Sequence, residues 1–178
     1  MANKNVIVTG AAKGIGKACV EYFLNSGDHV IALDIDETAL NNLENIEGRL
    51  HIYDCDVSKE TMVKSSIQNA IATLGEIDIL INNAGIQRYS TITETTEEEW
   101  DLVMNVNLKS AFLCSKYTIP SMQKKGKGVV VNVSSVQAFI SQKKVAPYTT
   151  SKTAMLGLTR SIAVDYAPNC IKNVWTCI

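Results

Sequence analysis

The sequence has no long apolar run, no C-x-x-C pair, almost no net charge and only two histidines, and each shortage narrows what the chain can do. No apolar stretch approaches the roughly 18 residues that a membrane span needs. The N-terminal "MANKNVIVTGAAKG" is continuously apolar only from Val6 to Val8, too short for a signal-peptide core, so a cytoplasmic location is expected. A net charge of −1 gives nucleic acid no basic field and a membrane no cationic face. The five cysteines, Cys19, Cys55, Cys114, Cys170 and Cys177, stand in apolar runs and read as reduced structural thiols. With His29 and His51 alone, and no paired spacing, no metal site is expected. Neither an internal repeat nor a Pro- or Ser-rich linker divides the chain.

What remains is a composition of 46% apolar and 20% charged residues over 178 positions, enough for one well-buried domain spanning 1–178. Short β-branched runs alternate with helix-length amphipathic segments. "NVIVTG" leads into a helix over about 14–25, and "HVIALD" into a helix near 36–45. "LHIYDCDV" precedes a helix over 58–74, with Ser58 as its N-cap. "IDILINNAG" precedes a long helix through Trp100, Val103 and Leu108, opened by a capping box of Thr96 and Glu99. "GVVVNVSS", a helix over 148–166 and a sixth strand at "IKNVW" complete the pattern. Strands that are apolar throughout, alternating with helices, predict an α/β fold: a doubly wound parallel sheet, Rossmann-like, in three layers α/β/α. Such sheets bind ligands at the carboxyl ends of their strands, which directs attention to the residues there.

After the first strand, Gly10, Gly14 and Gly16, with Ile15 between the last two, end at a helix N-terminus. Glycines there allow a tight turn and let a pyrophosphate reach backbone N–H groups at the positive end of the helix dipole. A glycine-rich turn made only for packing is the plainer alternative. After the second strand, Asp34 lies 18 residues beyond Gly16 and is placed to accept from adenosine ribose hydroxyls while repelling a 2′-phosphate. Its plainer role would be a helix N-cap, for which Asp36 is better placed. Lys13, a cation in the glycine loop, pulls the other way, toward a 2′-phosphate; the carboxylate at the ribose carries more weight, which favours NAD over NADP. After the third strand, the Asp56 side chain and the Val57 backbone are candidates for the adenine edge. After the fourth, Asn83, Ala84 and Gly85 form a hydrogen-bonding wall beside the ribose. Tyr148 and Lys152, four residues apart on a helix, are a weak signal taken alone.

Taken together, T-G-x-x-x-G-I-G (9–16), N-N-A-G (82–85), "NVN" (105–107), "VNVSS" (131–135) and Y-x-x-x-K (148–152) resemble the short-chain dehydrogenase/reductase family of the classical type, over about residues 3–168. Within it, "SSVQAFISQKKVAPYTTSK" and "SIAVDYAP" are similar to aldohexose and glucose dehydrogenases. The resemblance implies that Tyr148 is the general acid/base and that Lys152 supplies a positive charge beside it and bonds the nicotinamide ribose. It implies that Ser135, 13 residues before Tyr148, rather than Ser134, holds the substrate oxygen. Asn107 would anchor a water linking Lys152 to solvent, and hydride would pass between the nicotinamide and a secondary alcohol or sugar hydroxyl.

Members of that family run on to a further strand, a helix and a substrate loop after the sixth strand. The resemblance therefore implies a C-terminally truncated chain whose sixth strand is an exposed edge. A natural truncation, a shifted reading frame and a site completed by another subunit all fit the sequence. Two function classes follow: an active NAD-dependent oxidoreductase, or a dinucleotide-binding or oligomerising remnant that turns nothing over. A methyltransferase on a similar sheet would leave the Ser135–Tyr148–Lys152 spacing unexplained. The resemblance also implies a homo-oligomer, a dimer or tetramer built on the helices near 100–117 and 148–166.

Overall fold

The computed structural model describes residues 3–177. Six strands form one sheet: β1 (Asn5–Thr9), β2 (His29–Asp34), β3 (Leu50–Asp54), β4 (Ile79–Asn82), β5 (Gly128–Val133) and β6 (Ile171–Thr176). All neighbouring strands run parallel, in the order β3-β2-β1-β4-β5-β6. Helices α1 (Gly14–Asn25) and α2 (Glu37–Asn41) follow β1 and β2, and α3 (Glu60–Leu74) follows β3. After β4 come α4 (Glu97–Met104), a wide π turn (Asn105–Lys109) and α5 (Ser110–Lys125); α6 (Ala146–Tyr166) joins β5 to β6. The doubly wound sheet expected from the alternating pattern is the one observed. No helix among the described residues is long and apolar enough to cross a membrane.

Strand residues alternate between two cores, which is why the strands are apolar throughout. Val6, Val8, Val30 and Ala32 pack with Val20 and Leu24 of α1 and Leu40 of α2. Their neighbours Ile7, Ile31 and Leu33 face the other way, onto Val63 and Ile67 of α3, Leu113 of α5 and Ile162 of α6. A buried polar ladder runs through the second layer. Asn82 Nδ2 donates to Asn132 Oδ1 (2.8 Å), and Asn132 Nδ2 donates to Thr159 Oγ1 (2.9 Å) and to Asn173 Oδ1 (3.3 Å). It joins β4, β5 and β6 to α6, and each bond is worth more for lying away from water.

Several local expectations are corrected. Helix α2 stops at Asn41 rather than near 45, and Glu47 and Gly48, both left-handed, then turn the chain into β3. Ser58 does not cap α3. Its backbone N–H and hydroxyl both bond Asp56 Oδ1, at 2.9 and 2.6 Å, and the helix begins at Glu60 behind Lys59. Thr96 caps α4 through Glu99 N at 3.2 Å, as expected, but the long helix beyond it is split by the π turn. Cys55 and Cys114 are core thiols, whereas Cys170 is exposed at the left-handed end of the turn before β6. The sequence "IKNVW" does form β6. It lies at the sheet edge, with Val174 and Trp175 exposed.

Asn132→Ala removes three hydrogen bonds and leaves buried partners unsatisfied, so it should lower unfolding free energy by about 2–4 kcal/mol in urea titration. A loss under about 1 kcal/mol would mean that water takes over the ladder.

Candidate active site

The loops after β1 and β4 part to opposite faces of the sheet, and a cleft of about 680 Å³ opens between them. Hydrogen bonds fasten its floor. Thr9 Oγ1 accepts from Asn83 N and Ala84 N, both at 3.0 Å, while Asn83 Nδ2 donates to Thr9 O and Gly10 O at 3.0 and 3.1 Å. Two glycines make this close approach possible. Gly10 has φ +63°, and a Cβ there would stand 2.9 Å from Ala84 Cα; one on Gly16 would stand 1.9 Å from Gly10 O. No feature of the sequence marks Thr9 as a site residue, although it begins the glycine motif.

The N-terminus of α1 could hold an anion. Its N-cap, Lys13, makes no side-chain capping bond, and its first turn holds no acidic residue. By contrast, α2 and α4 are capped by Asp36 and Thr96. The first N–H groups of α1 are thus left for a ligand, and the positive end of the dipole meets the cleft beside Gly10 and Ile15. Gly14 and Gly16 shape the turn without lining the cleft. This cradle fits the pyrophosphate of a dinucleotide.

Asp34 and Asp56 stand at one end of the cleft with Val57. Asp34 is held rigidly, Oδ2 accepting from Ala12 N at 2.9 Å and Oδ1 from Asp36 N at 3.0 Å. Asp56 Oδ1 is engaged by Ser58. Lys13 borders the cleft, and its Nζ pairs with Asp36 Oδ2 at 2.6 Å.

Tyr148 and Lys152 line the same cleft, beyond Asn83, Ala84 and Gly85. Lys152 is 3% exposed; its Nζ donates to Val133 O at 2.7 Å and lies 5.7 Å from the centre of the Tyr148 ring. Burial drives the Lys152 ammonium down from 10.5 to about 8. Ser134 rather than Ser135 lines the cleft, but its hydroxyl donates to Lys152 O at 2.9 Å. Ser135 lies outside the lining and caps the 136–138 turn, its Oγ accepting from Gln137 N at 3.2 Å.

Asn107 is fully buried within the π turn, a distortion that recurs at functional sites. Its Oδ1 accepts from Ile86 N at 2.7 Å, and its Nδ2 donates to Ile86 O at 2.9 Å and to Ser151 Oγ at 3.0 Å. Asn107 and Lys152 flank Gly85, where a Cβ would stand 3.5 Å from both Asn107 Oδ1 and Lys152 Nζ. Ser151 also donates to Tyr148 O at 2.7 Å, so it joins Asn107 to the turn that carries Tyr148. No sequence signal marked Ser151, because its partner is 44 residues away.

Comparison with known proteins gives a consistent family. The family model described as short chain dehydrogenase matches residues 4–177. An uncharacterized oxidoreductase of Thermotoga maritima is 42% identical over 167 residues, 92% of this chain and 66% of that protein. The 2-(R)-hydroxypropyl-CoM dehydrogenase of Xanthobacter autotrophicus is 39% identical, over 93% of this chain and 70% of the relative. The ligand-free structure of Thermoplasma acidophilum aldohexose dehydrogenase superposes with a TM-score of 0.90 at 40% identity, covering 98% of this chain and 66% of that one. The chain thus spans about two thirds of the length of the proteins it matches.

The buried ammonium makes a prediction about stability. Below pH 8 Lys152 is protonated folded and unfolded. Between about pH 8 and 10.5 the folded chain has shed a proton that the unfolded chain keeps, so this group's contribution to stability rises with pH. Near neutral pH the buried charge costs the fold about 3 kcal/mol, and the bond to Val133 O offsets about 1. Lys152→Met should therefore melt higher than the wild type at pH 7, with the gap closing as pH approaches 10 in a thermal denaturation series. A lower melting temperature at pH 7 would contradict the burial argument.

Proposed function

The chain belongs to the short-chain dehydrogenase family, a family of oxidoreductases, and we propose that it moves a hydride between NAD and a secondary alcohol or sugar hydroxyl. One observation carries the reading: Tyr148 and Lys152 line the same cleft as the glycine loop and Asp34. Residues 1–178 are read as one dinucleotide-binding domain. Gly10, Ile15 and the open N-terminus of α1, in the turn shaped by Gly14 and Gly16, would hold the pyrophosphate. Asp34, rigid on two backbone N–H groups, would accept from the ribose hydroxyls and turn away a 2′-phosphate. Asp56 and Val57 would border the adenine, and Asn83, Ala84 and Gly85 the far wall. The names of two relatives, an aldohexose dehydrogenase and a 2-(R)-hydroxypropyl-CoM dehydrogenase, support a sugar or secondary alcohol as substrate.

When bound, a nicotinamide supplies or accepts the hydride. The chain's own residues handle the oxygen and its proton. Tyr148 takes the proton from the substrate hydroxyl, or returns it to the carbonyl oxygen. Ser135, set by its cap on Gln137 N, positions that oxygen. Lys152 holds positive charge beside the tyrosine and bonds the nicotinamide ribose. Titrating at about 8, it can also exchange a proton near neutrality. Asn107, fixed in the π turn next to Gly85, anchors the water that passes that proton to solvent.

A second reading, dinucleotide binding without turnover, is favoured by the apolar surface at the ends of β5 and β6. There Phe139 and Ile140 are 61% and 71% exposed, and the Phe139 and Trp175 rings meet at a tilt of 49° with their centres 5.5 Å apart. The two readings separate in an NADH-formation assay against a panel of aldoses and secondary alcohols. Tyr148→Phe should cut kcat about 100- to 10,000-fold. Equal rates for variant and wild type would refute the catalytic assignment, and binding of NADH without turnover of any substrate would select the second reading.

We place a homo-oligomer contact on the outer faces of α4–α5 and α6. Met104, Leu108, Phe112, Ala154 and Leu158 line a shallow groove of about 430 Å³ there. Sedimentation velocity should show a dimer or larger species that Phe112→Glu dissociates; a wild-type monomer would rule the contact out.

A further inference from the structure

At the adenosine end, one ammonium stands among two carboxylates. Lys13 Nζ lies 2.6 Å from Asp36 Oδ2, and Asp34 adds a weaker attraction. The pair is not a chance meeting of two mobile side chains. Asp36 Oδ1 accepts from Ala39 N at 3.0 Å as the N-cap of α2, and the Asp36 backbone N–H bonds Asp34 Oδ1 at 3.0 Å. On the other side, the backbone of Ala12, next to Lys13, bonds Asp34 Oδ2 at 2.9 Å. The Asp34 carboxylate therefore ties the loop after β1 to the loop after β2, and brings Lys13 within reach of Asp36. The Lys13 side chain is 76% exposed and borders the cleft, so it has room to move toward a ligand if released.

We propose that Asp36 is a specificity-determining residue that acts through Lys13: it holds the ammonium that would otherwise partner a ribose 2′-phosphate, and so keeps the site selective for NAD. The inference rests on the nucleotide reading above and deepens it. Asp34 alone confronts a 2′-phosphate with like charge, but a lysine in the glycine loop is a ready counter-ion for the same dianion. With Asp36 in place the cluster carries one positive and two negative charges, a net repulsion for a phosphate. With Asp36 neutral, the cluster balances and Lys13 can turn to the phosphate. Because the ion pair is exposed, the effect is modest and salt-dependent.

Asp36→Asn tests this without removing the helix cap, since asparagine caps as well as aspartate. Dissociation constants for NADH and NADPH are measured by fluorescence titration of wild type, Asp36→Asn and the double variant Asp36→Asn/Lys13→Gln. Asp36→Asn should shift the ratio about three- to tenfold toward NADPH at low ionic strength, less at 0.5 M salt. The double variant should lose that shift. NADH binding by the wild type with an unchanged ratio in Asp36→Asn would overturn the inference and leave the NAD reading standing. A shift that survives Lys13→Gln would overturn it too, showing that Asp36 acts by its own charge. A wild type that binds no NADH would overturn the nucleotide reading, and this inference with it.

Discussion

Asn83 reaches from the end of β4 to the carbonyls of Thr9 and Gly10, while Thr9 takes the N–H groups of Asn83 and Ala84. The site depends on this four-bond clasp. Strands β1 and β4 are neighbours, but the chain leaves β1 toward the face covered by α1 and leaves β4 toward the face covered by α5. Two loops that depart in opposite directions must expose the ends of their strands, and a cleft opens there. Without the clasp the two loops would be separate surface segments. With it they meet so closely that a side chain at residue 10 or 16 would collide with backbone.

The two ends of the cleft are electrostatic opposites. At one end Asp34 is fixed by backbone donors and backed by Asp36, so negative charge is built in and solvent-facing. At the other, Lys152 is buried and its ammonium is penalised, so its proton is loosely held. Between them lies an uncapped helix N-terminus with a partial positive charge. A ligand that fits this sequence has hydroxyls at one end, anionic oxygens in the middle and a reactive centre at the other end. Those demands match a dinucleotide better than they match any smaller molecule.

Much of this was legible because it is written locally. The apolar strand runs, the bounds of α1 and the glycine spacing follow from side-chain volume, periodicity and backbone freedom, all of which act over a few residues. What escaped was set by contacts across the fold or by competition between close neighbours. Ser58 reads as a cap until Asp56 competes for its hydroxyl. The segment after Thr96 reads as one helix until the buried amide of Asn107 finds both polar groups of Ile86. The choice between Ser134 and Ser135 could not reveal that one bonds the Lys152 carbonyl and the other caps a turn. Lys13 reads as a charge and Asp36 as a helix cap, but 23 residues of separation hide that they form a pair.

The spacing of Tyr148 and Lys152 shows how a weak local motif gains meaning from distant partners. Four residues put both side chains on one face of α6, which any helix surface could do. The difference lies in the end of β5. Lys152 Nζ donates to Val133 O while Ser134 Oγ donates back to Lys152 O, so strand and helix are bonded in both directions at one residue. That reciprocal bond fixes the depth of the ammonium, and depth sets its affinity for a proton. The next rungs are Ser151 to Asn107 below the tyrosine and Thr159 to Asn132 two turns on. A lysine at the same spacing on a solvated helix would keep its ordinary proton affinity and could not exchange protons near neutrality. The lowered proton affinity of Lys152 therefore belongs to the contact between α6 and β5, and the motif marks where that contact is made.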